Sequence, residues 1–276
     1  MSVGTNHHRS PLKWAGGKYF QIDSVLRLLD VPEDGVYAEP FAGGASVALN
    51  VTAQHVWLND VSLPLIEFWT ALKEDAATLR ADLERLFDGG NNAARYYDVR
   101  SDYNERTGYG ATPASRAAAL LYLNRHGFNG LYRFNQKGEF NVPFGDNPAP
   151  YRPDAELENA ARRLRRAVVT CSDFDSVLEA SSSAGNYIYC DPPYVDSFSG
   201  YSGQSFTWED QVRLADLAQQ AAAYGAVVVV SNLLTPAVRE LYTSRGARLV
   251  ELDARRSINR DGKKRQAVRE VLARFG

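Results

Sequence analysis

Short apolar runs recur along this chain, with helical patterns between them. Val36 to Ala38, His55 to Leu58, Val168 to Cys171, Tyr187 to Cys190, Val227 to Val230 and Leu249 to Leu252 are each about one strand long. Short bounded runs of this kind predict buried strands. The intervening helices open on recognisable caps. Thr112 precedes Pro113 and a pattern running through Leu123, Thr207 with Asp210 opens Trp208 to Tyr224, and Thr235 precedes Pro236. A threonine oxygen can accept from the first helical turn, and a proline at the first position gives up only an N–H that has no helical partner. Val47, Ala48 and Leu49 predict one more helix directly after the first strand.

This alternation predicts an α/β fold built on a doubly wound parallel sheet, which binds ligands at the carboxyl ends of its strands. Residues 64–152 break the rhythm. They are helix-rich as far as Asn124 and then become NRHGFNGLYRFNQKGEFNVPFG, with hairpin punctuation at Asn129-Gly130 and Lys137-Gly138. The chain is therefore divided into a sheet domain in two parts, 1–63 and 153–276, and a mostly helical insert, 64–152, that carries a β-hairpin.

Composition fits such a fold: 276 residues, 45% hydrophobic and 23% charged, describe a soluble chain with enough material for one core and an insertion. The first residues lack a signal-like apolar segment, and the longest apolar stretch, Ala221 to Val230, falls well short of the roughly 20 residues of a membrane span. A cytoplasmic protein with no membrane partner is expected. Cys171 and Cys190 are too few and too far apart for a disulfide framework or a CxxC site, and are expected to be small buried hydrophobes. His7, His8, His55 and His126 show no ligand spacing, so no metal is expected. The net charge is only -2, yet Arg255, Arg256, Arg260, Lys263, Lys264, Arg265, Arg269 and Arg274 crowd the last stretch. Local charge is what attracts phosphate, so this run permits a nucleic-acid partner; it equally fits a solvated face.

Two strand ends carry chemistry. Asp191-Pro192-Pro193-Tyr194 follows the run Tyr187 to Cys190. A carboxylate on Asp191 and the Pro192 carbonyl can accept the two N–H bonds of an exocyclic amine, drawing its lone pair out of the ring and toward a methyl donor. Pro193 stiffens the turn, and the Tyr194 ring can stack on a base removed from its helix. Average composition makes a chance DPPY in a chain this long roughly a one-in-a-thousand event. Glu39 to Ser46 is a glycine turn after the first strand, and Asp60 closes the second, where an acid suits ribose hydroxyls. Without GxGxxG, a nucleoside lacking phosphates fits better than a dinucleotide. The GGK of Lys13 to Lys18 is not a P-loop, because Leu12 stands where Walker spacing needs glycine and Tyr19 where it needs Ser or Thr.

Taken in order, KWAGGK, EPFAGGAS, Asn59-Asp60, the NRHGFNGLYRFNQKGEFNVPFG segment, DPPY, Ser231-Asn232 and the RRSI of Arg255 to Ile258 closely resemble the Dam family of DNA adenine-N6 methyltransferases, of the D12 class. The resemblance covers nearly the whole chain. It implies a Rossmann-like methyltransferase sheet with an inserted target-recognition domain, and transfer of a methyl group from S-adenosylmethionine to a flipped adenine in double-stranded DNA, leaving S-adenosylhomocysteine; GATC is the family's commonest site and the expected one, while related enzymes methylate longer or different sites. It implies catalytic roles for Asp191, Pro192, Pro193 and Tyr194, and contacts to the donor from Trp14, Ala15, Lys18, Phe41, Gly43, Asp60, Asp173, Phe174 and Asp191. DNA contacts fall to Lys13 and Arg133 as base readers, Phe128 and Asn129 at the opened stack, Leu131 and Pro143 at thymine methyls, and Arg125, Arg256 and Ser257. A monomer from a bacterial, archaeal or phage source, associated with the nucleoid, is implied as well. Ala45 stands where the family usually has a second glycine, an exchange that a negative φ would accommodate.

Other classes fit less well. A cytosine-C5 enzyme needs a thiolate, usually after proline, and neither cysteine follows one. An RNA or protein amino-group methyltransferase could share the DPPY loop without the long hairpin segment, and a catalytically silent DNA-binding relative would not need DPPY intact.

Overall fold

The computed structural model describes residues 7–145, 150–194, 206–254 and 268–276. Seven strands form one sheet: β1 (Val36–Glu39), β2 (His55–Asn59), β3 (Val168–Thr170), β4 (Asn186–Cys190), β5 (Val227–Leu233), β6 (Arg248–Ala254) and β7 (Val268–Phe275). Their order is β3-β2-β1-β4-β5-β7-β6. The first five run parallel, and β7 lies antiparallel between β5 and β6. The chain winds outward from β1 to β3 and then restarts at β4 on the other side of β1, so the switch point lies between β1 and β4.

Side chains alternate across the sheet, as the pleat requires. Tyr37, Leu58, Tyr189, Val229 and Leu272 face one core, with residues of α1 (Ile22–Leu29), α2 (Leu63–Glu74), α3 (Ala76–Asp88), α4 (Ala93–Glu105), α5 (Pro113–His126) and α6 (Asp154–Leu164). Ala38, Ile188, Cys190, Val228, Val230 and Val271 face the other, against α7 (Phe174–Ala180), α8 (Trp208–Ala223) and α9 (Pro236–Thr243). The predicted caps are in place: Thr112 and Thr207 form capping boxes with Ser115 and Asp210, and Thr235 accepts from the Val238 N–H. The 64–152 segment is helical through α5, but Leu79, Leu83, Tyr96 and Leu120 belong to the same core as Tyr37 and Leu58. Among the described residues the insert is thus continuous with the sheet's packing.

Four expectations change. Residues 46–50 make turns and not a helix, because the Asn50 side chain donates to the Ser46 carbonyl at 2.8 Å and the Glu39 carboxyl takes the Ala48 N–H at 3.0 Å, diverting groups a helix would use. The hairpin segment holds only two isolated bridges, Gly127 with Phe144 and Phe134 with Phe140. Its tight turn is at Lys137-Gly138, where the Gly138 N–H donates to the Asn135 carbonyl, whereas Asn129 and Gly130 close a 3-10 turn with φ of 53° and 64°. Strand β7 was not foreseen, since charged residues interrupt its apolar positions. Cys190 is buried as expected, but Cys171 is exposed beyond the end of β3. Among the described residues no helix is long and apolar enough to cross a membrane.

Candidate active site

The carboxyl ends of β1, β2 and β3 are tied together by Asn59. Its buried amide donates to the carbonyls of Pro40 and Ser172, and its Oδ1 accepts from Thr170 and Ser172. Next along the chain, Asp60 accepts from the Gly43 N–H at 3.0 Å and the Ser62 N–H at 2.9 Å. Burial pushes the Asp60 carboxyl up from its ordinary value, against the pull of those hydrogen bonds. The indole of Trp14 lies on the glycine turn: a Cβ on Gly43 would meet its Nε1 at 2.6 Å, and one on Gly44 its Cβ at 2.9 Å. Gly43 has φ of 47°. Turn and indole therefore approach as closely as glycine permits. Ala45 corrects the expectation of a negative φ. It is buried at φ 53°, in the left-handed region, with its N–H on the Ala42 carbonyl and its own carbonyl accepting from Leu49.

Asp191 stands at the end of β4, one strand from β1. Its Oδ2 accepts from the Lys18 ammonium at 2.7 Å and its Oδ1 from the Ser231 hydroxyl at 2.6 Å. Lys18 is 6% exposed and also donates to the Gly16 carbonyl, so KWAGGK reaches the DPPY loop directly. The ammonium lies 5.2 Å from the Tyr194 ring centroid, within cation–π range. The Pro193 carbonyl accepts from Gln211 of α8, whose Oε1 accepts from Asn232 of β5. Glu39, at the end of β1, is fully buried beneath this floor. It accepts from the Tyr37 hydroxyl at 2.9 Å and the Ala48 N–H, and burial pushes its carboxyl up to about 8.

Trp14, Lys18, Gly43, Asp60 and Asp191 thus converge on the strand ends. Ala15 lies between Trp14 and the Gly16 carbonyl that Lys18 holds. Phe41 and Phe174 stack at 5.2 Å beside them. Asp173 caps α7 and pairs with Arg213, whose guanidinium also meets Asp175, Asp210 and the Phe174 ring. No sequence pattern assigns a role to Arg213, Ser231, Gln211 or Glu270. Only Ser231 gave a signal that could be used, since it ends an apolar run just as Asp191 does.

On the insert, the Phe128 N–H donates to the Pro143 carbonyl, so exposed Phe128, Asn129 and Pro143 share one rim, with half-buried Leu131 beside them. Lys13 is clasped through its backbone by Asn124, and its ammonium donates to the Arg125 carbonyl at 3.3 Å; burial and the Arg125 charge lower its pKa. Arg133 is exposed, with Nε and Nη2 on Asn141. Arg125 turns the other way: it is 4% exposed and its guanidinium binds the Pro11 carbonyl. Arg256, Ser257 and most of the basic run lie outside the described residues.

Comparison with known proteins bears on this arrangement. The model of the D12 class N6 adenine-specific DNA methyltransferases matches residues 14–258. The DNA adenine methylase of Vibrio cholerae is 40% identical over 97% of this chain and 96% of its own, and that of Escherichia coli K12 is 38% identical over 97% and 95%. The DNA N-6-adenine-methyltransferase of Escherichia phage P1 is 40% identical over 96% of this chain, which spans 35% of that longer protein. Among solved structures, the rRNA methyltransferase aviRa of Streptomyces viridochromogenes overlays 96% of this chain and 90% of its own at 15% identity and a TM-score of 0.38, a loose likeness that adds nothing to the assignment. With strand-end carboxylates at Asp60 and Asp191 and a DPPY loop inside the matched span, the chain belongs to the D12 class N6 adenine-specific DNA methyltransferases.

Proposed function

We propose that this enzyme takes a methyl group from S-adenosylmethionine and places it on N6 of an adenine swung out of duplex DNA, within GATC, acting as a monomer. The observation that carries the reading is Asp191, held from two sides by Lys18 and Ser231 at the switch point of the sheet. A carboxylate oxygen has room for a further donor beside each of these bonds.

The donor fits the neighbouring cradle. Gly43 and Gly44 bring backbone against Trp14, and Asp60 offers a carboxylate at the end of β2, where hydroxyls of a ribose would meet it. Asp173 and the Phe41–Phe174 pair would border the adenine end. When bound, S-adenosylmethionine supplies an electrophilic methyl group on a sulfonium sulfur. Asp191 and the Pro192 carbonyl accept the two N6 hydrogens, which directs the nitrogen lone pair out of the ring plane and into the cleft. Tyr194 offers its ring to the face of the base. Lys18 and Ser231 aim Asp191, and the Gln211 amide on the Pro193 carbonyl fixes the loop between Asp191 and Tyr194. The rim of Phe128, Asn129 and Pro143 would occupy the opened stack, with Arg133 and Lys13 toward base edges. The GATC assignment is supported by the resemblance of the hairpin segment.

Asp191→Ala is expected to reduce methyl transfer to below about a tenth of the wild-type rate while leaving specific duplex binding in place, because lost orientation costs more than that. A labelled-donor assay with duplex DNA, RNA and protein as acceptors checks both the role and the substrate class. Transfer to RNA or protein at comparable rates would reject the reading.

A further inference from the structure

The two ends of the DPPY loop share Ser231 of β5, whose side chain meets both Asp191 and Tyr194, and Tyr194 has a second anchor on another strand. Asp191 is held by Ser231 of β5. Tyr194 is held by β7, the strand least legible in the sequence: its hydroxyl donates to Glu270 Oε2 at 3.1 Å. Glu270 lies in register between Leu233 of β5 and Leu252 of β6, so its backbone is fixed by a ladder on either side. The same Oε2 accepts from the Gln21 amide at 2.8 Å, which comes from the 3-10 turn just past Lys18. Gln21 thereby leaves its own Oε1 buried without a hydrogen-bond partner among the described residues. A buried, unsatisfied acceptor calls for an explanation beyond packing. Here the amide must turn its N–H to the carboxylate, and the carbonyl oxygen is stranded as a result.

From this geometry we infer that Glu270 is a positioning residue for methyl transfer, fixing the ring of Tyr194 through its hydroxyl, with Gln21 steadying the carboxylate. The inference rests on the reading of Tyr194 as the platform for the extruded base. Pro192 and Pro193 have no N–H to tie the loop, and the Gln211 amide on the Pro193 carbonyl holds the backbone but not the ring, so the angle of the Tyr194 ring is set by what its face and its hydroxyl meet. Glu270 offers the phenol O–H an acceptor whose backbone the two ladders hold in place. Burial, with Asp191 and Glu270 nearby, holds the Tyr194 hydroxyl well above its ordinary pKa, which keeps it a donor. Without the carboxylate the hydroxyl keeps Ser231 alone, and the ring turns more freely about its side-chain bonds and stacks less often on the base.

The test is a double-variant cycle on the full enzyme with cognate duplex. Glu270→Ala should lower kcat about tenfold and Tyr194→Phe, which also loses Ser231, at least as much, with KM for DNA and donor little changed, and the double variant should be no slower than Tyr194→Phe alone. With 2-aminopurine at the target position, both should give brighter emission from the bound complex, because a ring that stacks less quenches less. Thermal melts identify a variant that fails to fold; Tyr194→Phe, which keeps the ring, then decides the matter with Gln21→Ala. Wild-type kcat in Tyr194→Phe, or effects of Glu270→Ala and Tyr194→Phe that multiply, would overturn the inference. Tyr194→Ala separates it from its premise. If that variant is slow while Tyr194→Phe and Glu270→Ala are not, only the positioning role is lost; if it too is fully active, the platform reading fails and the inference falls with it.

Discussion

Glu39 is the residue whose burial has the clearest consequence in solution. Its carboxyl is enclosed beneath the strand ends and pushed up to about 8, against about 4.5 when the chain is unfolded. Between those values the folded state keeps a proton that the unfolded state has released. The contribution is fully present below about 4.5 and is lost as pH rises through about 8, with a limiting slope of about 1.4 kcal/mol per pH unit. Glu39→Gln keeps an oxygen for the Tyr37 hydroxyl and the Ala48 N–H but has nothing to titrate, so its stability should fall less between pH 6 and 8. Urea unfolding at the two pH values checks this; equal slopes for both proteins would place the pH dependence elsewhere, Asp60 being the next carboxyl raised by burial. At this scale the sequence is informative about identity and silent about state. DPPY and Asn59-Asp60 announce the acids, because residue type alone restricts the chemistry. That Ala45 adopts φ of 53° could not be read, since left-handed backbone in a non-glycine residue is imposed by surrounding contacts.

Elements were legible where one physical cause acts alone. An apolar run between polar ends makes a buried strand, and five parallel strands lie where such runs occur. β7 carries Arg269, Glu270 and Arg274 among Val271, Leu272, Ala273 and Phe275, so no run stands out, and its identity comes from pairing with β5 and β6. The segment after α5 has hairpin punctuation but few ladder bonds, and side chains hold it in their place: Tyr96 and Arg100 donate to the Val142 carbonyl, and Asn104 brackets Phe140. On this element Arg133 spends Nε and Nη2 on Asn141. A guanidinium has five N–H donors, and a fork on guanine O6 and N7 discriminates by about 1–3 kcal/mol. Arg133→Ala should relax the preference at one guanine of the site and leave donor affinity unchanged. Rates on duplexes altered one base pair at a time distinguish this from a uniform fall, which would mean that Arg133 only braces the segment against Asn141.

At the scale of the molecule, residues 11 to 18 join the end of α5 to the strand ends of the sheet. One end binds the insert: the Pro11 carbonyl holds Arg125, and the backbone of Lys13 is gripped by Asn124. The other end serves the sheet, with Trp14 on the glycine turn and Lys18 on Asp191. Tyr132 adds a second link, its ring 4.9 Å from Trp14 and its hydroxyl 2.7 Å from Ser62, the neighbour that donates to Asp60. The proposed reading rim and the proposed donor cradle therefore share a strap whose central knot is the fully buried Asn124, bonded to the N–H and carbonyl of Lys13 and to the Gly130 carbonyl. Asn124→Ala leaves those three backbone groups without their partner. Each unsatisfied buried group costs about 1–3 kcal/mol, and with relaxation a total loss of about 2–4 kcal/mol is expected. The functional effect is more telling than the stability loss. Because Gly130 borders the proposed reading rim and Trp14 the proposed donor cradle, Asn124→Ala should weaken site discrimination and donor affinity together, whereas Arg133→Ala touches only the first. Donor titration by intrinsic tryptophan fluorescence, beside rates on cognate and altered duplexes, makes the comparison. Wild-type donor affinity in an Asn124→Ala enzyme that has lost discrimination would show that the two ends of the strap act independently.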